Sequence, residues 1–173
     1  SSTPAGSRFL QGGGLMIYIL DTNIIRKLLF HFPKKGKLFE EVWASLEAGI
    51  EAEIYISVDE CFNELSGQFS KDNDAFKWIN ERKRMFKNPD GAETLIIREL
   101  FKDPKMRESI HTKNILSNRP SADIYIAAKA KQLDATVVTA EEYKPHSAQL
   151  PNICEKLGVT YITFDDFMEQ VTQ

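Results

Sequence analysis

Three short runs along the chain are largely apolar and carry no charge: "MIYIL" (16–20), "ATVVT" (135–139) and "VTYITF" (159–164). A fourth, "AEIYIS" (52–57), is slightly less regular. Unbroken runs of this length predict strands buried on both faces. Between them the spacing changes to three and four. "IIRKLLFHF" and "KLFEEVWASLEAGI" carry helical apolar stripes, and "DNDAFKWINERKRMF" carries a weaker one through Phe76, Ile79 and Phe86. "DGAETLIIRELFKD" starts a helix after the turn signal Asn88, Pro89, Asp90, Gly91. "SADIYIAAKAKQLD" reads as a strong helix, and "PNICEKLG" as one that stops at Gly158. Strands separated by helices predict an α/β fold with a mainly parallel sheet of four to five strands and helices on both faces, a three-layer α/β/α sandwich. No repeat or second domain is visible.

Composition narrows this picture only a little. A chain of 173 residues, 42% hydrophobic and 27% charged, fits one globular domain, and no apolar run approaches the roughly 20 residues of a bilayer span. A soluble, cytoplasmic protein is expected. The opening "SSTPAGSRFLQGGGL" (1–15) reads as a stretch appended for expression, which makes 16–173 the domain proper and Met16 its start. Setting aside Arg8 leaves 21 basic against 25 acidic side chains, a net charge of −4, which does not suggest a general polyanion binder. Cys61 and Cys154 stand far apart without metal-ligand spacing and are expected to be reduced and buried.

The informative polar residues sit at the ends of elements, because ligands of open parallel sheets collect at the carboxyl ends of the strands. Asp21 follows the first strand directly. Read alone it is a helix N-cap, the commoner use of Asp before a helix. After the second strand, Ser57 and Glu60 match the capping box S-x-x-E, which gives Glu60 a structural task. Glu64 falls at the border of the apolar stripe formed by Val58, Cys61, Phe62, Leu65 and Phe69, so it can lean into a cleft, or it is an ordinary solvated acid. Asp123 opens the next helix, where the macrodipole favours a negative charge. Glu141 and Glu142 follow "VVT". Carboxylates gathered at one sheet edge repel one another unless a cation sits among them, and oxygen ligands without a His/Cys set select Mg²⁺ or Mn²⁺. Such a centre suits phosphoryl chemistry on a nucleic acid.

In order along the chain, "YILDTNII", "ISVDECFNELSG", "SADIYIAAKAK" and "ATVVTAEE" resemble the PIN-domain nucleases, specifically VapC-type toxins of prokaryotic toxin-antitoxin pairs. The resemblance runs from Met16 nearly to the C-terminus, in a branch with a segment like "LPNICEKLGV" before the final strand. It implies that Asp21, Glu64 and Asp123 are metal-binding and catalytic acids. Glu141 would be the fourth, where many relatives have Asp, with Glu142 adjacent. It assigns Thr22, Asn23 and Thr139 to orienting the acids. It further implies a Mg²⁺- or Mn²⁺-dependent endoribonuclease that leaves 5′-phosphate and 3′-hydroxyl ends, a homodimer, and a cognate antitoxin partner. The alternatives are an inactive scaffold that binds RNA or protein, and a nuclease acting on DNA or structured nucleic acid.

Arg82, Lys83 and Arg84, with Lys34 and Lys35, are candidates for phosphate contact, although solvated charge is the commoner role. Lys129 and Lys131 are expected to be solvated. His31, His111 and His146 lack a paired nucleophile motif, which argues against a His-based mechanism. Trp43 and Trp78 sit in amphipathic helices and are expected in the core.

Overall fold

Tyr18–Leu20 forms strand β1 with all of its residues buried. Successive side chains point to opposite faces, so a strand covered on both faces needs apolar residues throughout. The same reasoning holds for β2 (Tyr55–Val58) and β4 (Thr136–Val138), whose buried polar residues, Ser57 and Thr136, each find a hydrogen-bond partner for the hydroxyl. With β3 (Phe86–Lys87) and β5 (Tyr161–Ile162) they form a five-stranded sheet of order β3-β2-β1-β4-β5, every pair parallel. The structure, a computed structural model, describes residues 15–117 and 121–173. Of the stretch 1–15, read above as appended, residues 1–14 lie outside the described residues.

Helices α1 (Thr22–His31) and α2 (Lys37–Glu51) lead from β1 to β2, and α3 (Asp59–Ser66) and α4 (Asp74–Glu81) lead on to β3. The chain then returns past β1 through α5 (Gly91–Leu100), α6 (Pro104–Ser117) and α7 (Asp123–Leu133) to β4. Helix α8 (Leu150–Leu157) precedes β5, and α9 (Phe164–Thr172) closes the chain. Right-handed crossovers put the helices of the outward and return journeys on opposite faces. Accordingly α7 packs on β2 and β4 and against α5 and α8, whereas α2 packs on β2 and against α9. The direction of travel reverses between β1 and β4, so the crevice outside their carboxyl ends is where such a sheet takes a ligand.

The α/β class and the four expected strands are present, and three local expectations change. Residues 74–86 are not one helix. Helix α4 ends at Glu81, Arg82 leaves helical geometry at φ −113° and ψ 31°, and a short 3-10 turn (Lys83–Met85) delivers Phe86 to a strand. The apparent stripe through Phe86 arose because a two-residue strand has no period of its own to read. The capping box also fails. Strand β2 continues through Val58, so Ser57 is buried inside the sheet and its hydroxyl donates to the Leu20 carbonyl at 2.7 Å. Glu60 is left half-buried with Oε2 lacking a hydrogen-bond partner, and burial raises its pKa. Finally, Lys129 is not solvated: it is buried and ion-paired with Glu93.

Other expectations hold. Cys61 and Cys154 are buried free thiols, and burial pushes the Cys154 pKa up to about 12. Gly158 ends α8 in the left-handed region at φ 71°. Trp43 and Trp78 are buried edge to face at 5.8 Å.

Candidate metal centre

Asp21 leaves β1 in an extended conformation and caps α1, with Oδ1 accepting from the Thr22 N–H at 2.7 Å. Its second oxygen, Oδ2, accepts from the Thr139 hydroxyl at 3.2 Å. The residue therefore caps its helix with one oxygen and turns the other toward its neighbours. It is only 4% exposed, and burial, then the charges of Asp123 and Glu141, push its pKa up to about 8.

Asp123 is the buried first residue of α7, and its N–H donates to the Ser121 hydroxyl at 3.2 Å. Glu141 follows β4, with its N–H donating to Thr139 Oγ1 at 3.1 Å. Its carboxylate also accepts from the Leu150 N–H at 2.7 Å, at the first turn of α8. Burial and then Asp123 raise its pKa. Asp21, Asp123 and Glu141 each offer an oxygen, and these oxygens lie within 4.8 Å of one another. Glu142 is exposed.

Glu64 lines the same cleft of about 270 Å³ but stands outside that trio, occupied by local partners. Its Oε2 accepts from the Thr22 hydroxyl at 2.7 Å and its Oε1 from the Ala122 N–H at 3.3 Å. It thereby links α3 to the starts of α1 and α7. Asn23, on the exposed side of α1, accepts from Arg26 at 3.1 Å.

Two cations in the cleft went unread in the sequence. Arg26 follows Thr22 by four residues on α1 and bonds both Asn23 and Gln68. Its spacing from Thr22 was the available signal. Lys113, from α6, forms an ion pair with Asp123 and lies 3.5 Å from both oxygens of Glu141.

The basic residues named as candidates for phosphate contact do not line this cleft. Arg82 pairs with Glu47 at 2.7 Å and stacks on Trp78, and Lys34 lies over Trp43 at 4.9 Å. Arg84 lines a cavity with Glu51 and Glu53, which precede β2, at the amino edge of the sheet and away from the acids. Lys83 lies over the Phe62 ring at 5.1 Å, and Lys35 is exposed. Among the described residues, no helix is long and apolar enough to cross a membrane.

The acids fit a hard dication. Their donors are all oxygens, the oxygens converge, and the pKa values of Asp21 and Glu141 are raised first by burial and then by the neighbouring acids, a repulsion that a cation would relieve.

A family model described as "Domain of unknown function (DUF4411)" matches residues 18–173. No curated protein matches the chain. Among solved structures, the chain is similar to FitAcB from Neisseria gonorrhoeae, at 19% identity over 86% of this chain and 98% of that one, with a TM-score of 0.48. It is also similar to VapBC-1 from nontypeable Haemophilus influenzae, at 17% identity over 87% and 99%, with a TM-score of 0.47.

Proposed function

The chain belongs to the DUF4411 family, and we propose that it is a Mg²⁺- or Mn²⁺-dependent endoribonuclease, the toxin of a toxin-antitoxin pair. The observation that carries the reading is the convergence of Asp21, Asp123 and Glu141 at the switch point between β1 and β4. RNA as substrate, a cognate antitoxin, a homodimer and a cytoplasmic location accompany this reading through the motif resemblance.

Asp21, Asp123 and Glu141 would hold the ion. When bound, the cation supplies the positive charge that lets a water lose a proton near neutral pH and that stabilises charge on the phosphodiester oxygens. Thr139 orients two of the acids, donating to Asp21 and accepting from the Glu141 amide. Thr22 fixes Glu64, which also receives the Ala122 amide just before Asp123. Glu64 thus sets the relative position of the two helix starts that carry Asp21 and Asp123. Arg26, at the cleft mouth, is placed to meet a phosphate.

The experiment is cleavage of a single-stranded RNA panel, with matched DNA, in Mg²⁺ or Mn²⁺. Asp21→Asn and Asp123→Asn should each abolish metal-dependent cleavage. Cleavage that survives in both variants would sink the proposal, DNA cut in preference to RNA would change its substrate, and Mn²⁺ binding without any cleavage would favour the scaffold.

A further inference from the structure

Helix α6 places Met106, Ile110 and Lys113 at spacings of four and three, the spacing of a face turned to the core. Met106 packs against the core and Ile110 is buried. The third position, where an aliphatic side chain would continue that face, is a lysine. Its ammonium meets Asp123 Oδ2, lies 3.5 Å from each Glu141 oxygen, and lies 3.4 Å from the Ala148 carbonyl oxygen.

An ammonium and a divalent ion on the same two carboxylates repel each other at close range. We propose that Lys113 is a built-in competitor for the metal: without the cation it pairs with Asp123 and Glu141, and when the cation enters it gives up Asp123 and turns to the phosphate backbone of the nucleic acid. The inference rests on the reading of the acids as a metal centre. Two features make the exchange feasible. Among the described residues of α6 only Ile110 is fully buried, so little packing opposes a shift of the helix. Lys113 also lines an adjoining groove of about 580 Å³ between α6 and residues 146–149, where Glu108 is the only acid among the described residues, so a released ammonium has an open place to go.

The test is a calorimetric Mn²⁺ titration without nucleic acid, on the wild-type chain, Lys113→Met, Lys113→Gln and Lys113→Arg. A dication gains about twice what a competing proton gains when the neighbouring positive charge is removed. Lys113→Met and Lys113→Gln should therefore bind Mn²⁺ about tenfold more tightly than wild type, with Lys113→Arg close to wild type. Adding Asp21→Asn to Lys113→Met should remove the tight binding, locating it in this centre. At saturating Mn²⁺, Lys113→Met should cut RNA about tenfold more slowly. If the wild-type chain binds Mn²⁺ and the neutral variants bind no more tightly, the competitor role is overturned and the metal centre stands. If no variant binds, both fall. Unchanged cleavage by Lys113→Met at saturating metal overturns the phosphate contact.

Discussion

The hydroxyl of Thr139, just past β4, donates to Asp21 Oδ2 at 3.2 Å across the junction of two neighbouring parallel strands. The same oxygen accepts the Glu141 N–H at 3.1 Å, so one buried hydroxyl fixes two of the three clustered acids. Partners of this kind typically govern metal affinity by about 10- to 100-fold. Thr139→Val should weaken Mn²⁺ binding by about tenfold, while Thr139→Ser, which keeps the hydroxyl, stays near wild type. Titration calorimetry on the two variants decides the matter, and equal weakening in both would remove the hydroxyl from the explanation.

Asp21 also makes stability depend on pH. Unfolded, it releases its proton near its ordinary value of 3.8, and folded it does so at about 8. Between those values the folded chain holds a proton that the unfolded chain has lost, so metal-free stability falls as pH rises through the interval. Glu141, also raised, acts in the same direction. A cation replaces the proton. The rise in melting temperature on adding Mn²⁺ should therefore be larger at about pH 8 than at about pH 6. Asp21→Asn should flatten the metal-free slope and abolish the Mn²⁺ shift. A wild-type shift independent of pH would contradict the linkage.

The clustering of Asp21, Asp123 and Glu141 was legible because each marks a boundary that the hydrophobic pattern itself announces: Asp21 and Glu141 follow uncharged, largely apolar runs, and Asp123 opens a strong helix. Lys113 was not, because α6 carries too few apolar residues to define a face, and the lysine takes one of the few inward positions. The place of Arg82 and Arg84 was hidden for a related reason. A run of positive charge does not say which end of the sheet it occupies, and the 3-10 turn that precedes β3 puts this one at the amino edge. Ser57 and Glu60 matched a capping pattern in sequence, but the pairing of Ser57 with Phe86 keeps the serine in the sheet. Local patterns were sound where one element determined the answer, and failed where a neighbouring strand did.

Gly49, buried in α2, lies against the Tyr55 ring, and a methyl group there would overlap that ring directly. Tyr55 cannot easily yield, being packed edge to face on Phe167 at 5.1 Å and on Tyr18 at 5.9 Å. In an open helix Gly→Ala would stabilise by up to about 1 kcal/mol. Here overpacking should reverse the sign, and Gly49→Ala should lose about 1–3 kcal/mol in urea unfolding. A stabilised variant would show that β2 and α2 can separate without loss.

Glu93 and Lys129 form a buried ion pair between α5 and α7, with side chains only 1% and 7% exposed, and the lysine also donates to the Asn88 carbonyl at 2.8 Å. Burial raises the Glu93 pKa while the Lys129 charge opposes the rise, which marks a carboxylate that depends on its partner. Removing one member leaves the other charge without compensation in a dry interior, a loss of about 3–5 kcal/mol. Replacing both with apolar side chains of similar size removes that penalty. Glu93→Leu and Lys129→Met should therefore each destabilise strongly in urea unfolding, and the double variant should recover most of the loss. The pair lies away from the cleft that holds Asp21, so Mn²⁺ affinity in the folded double variant should equal that of wild type. Additive losses in the double variant would show that the two residues act separately and that the ion pair does not join α5 to α7.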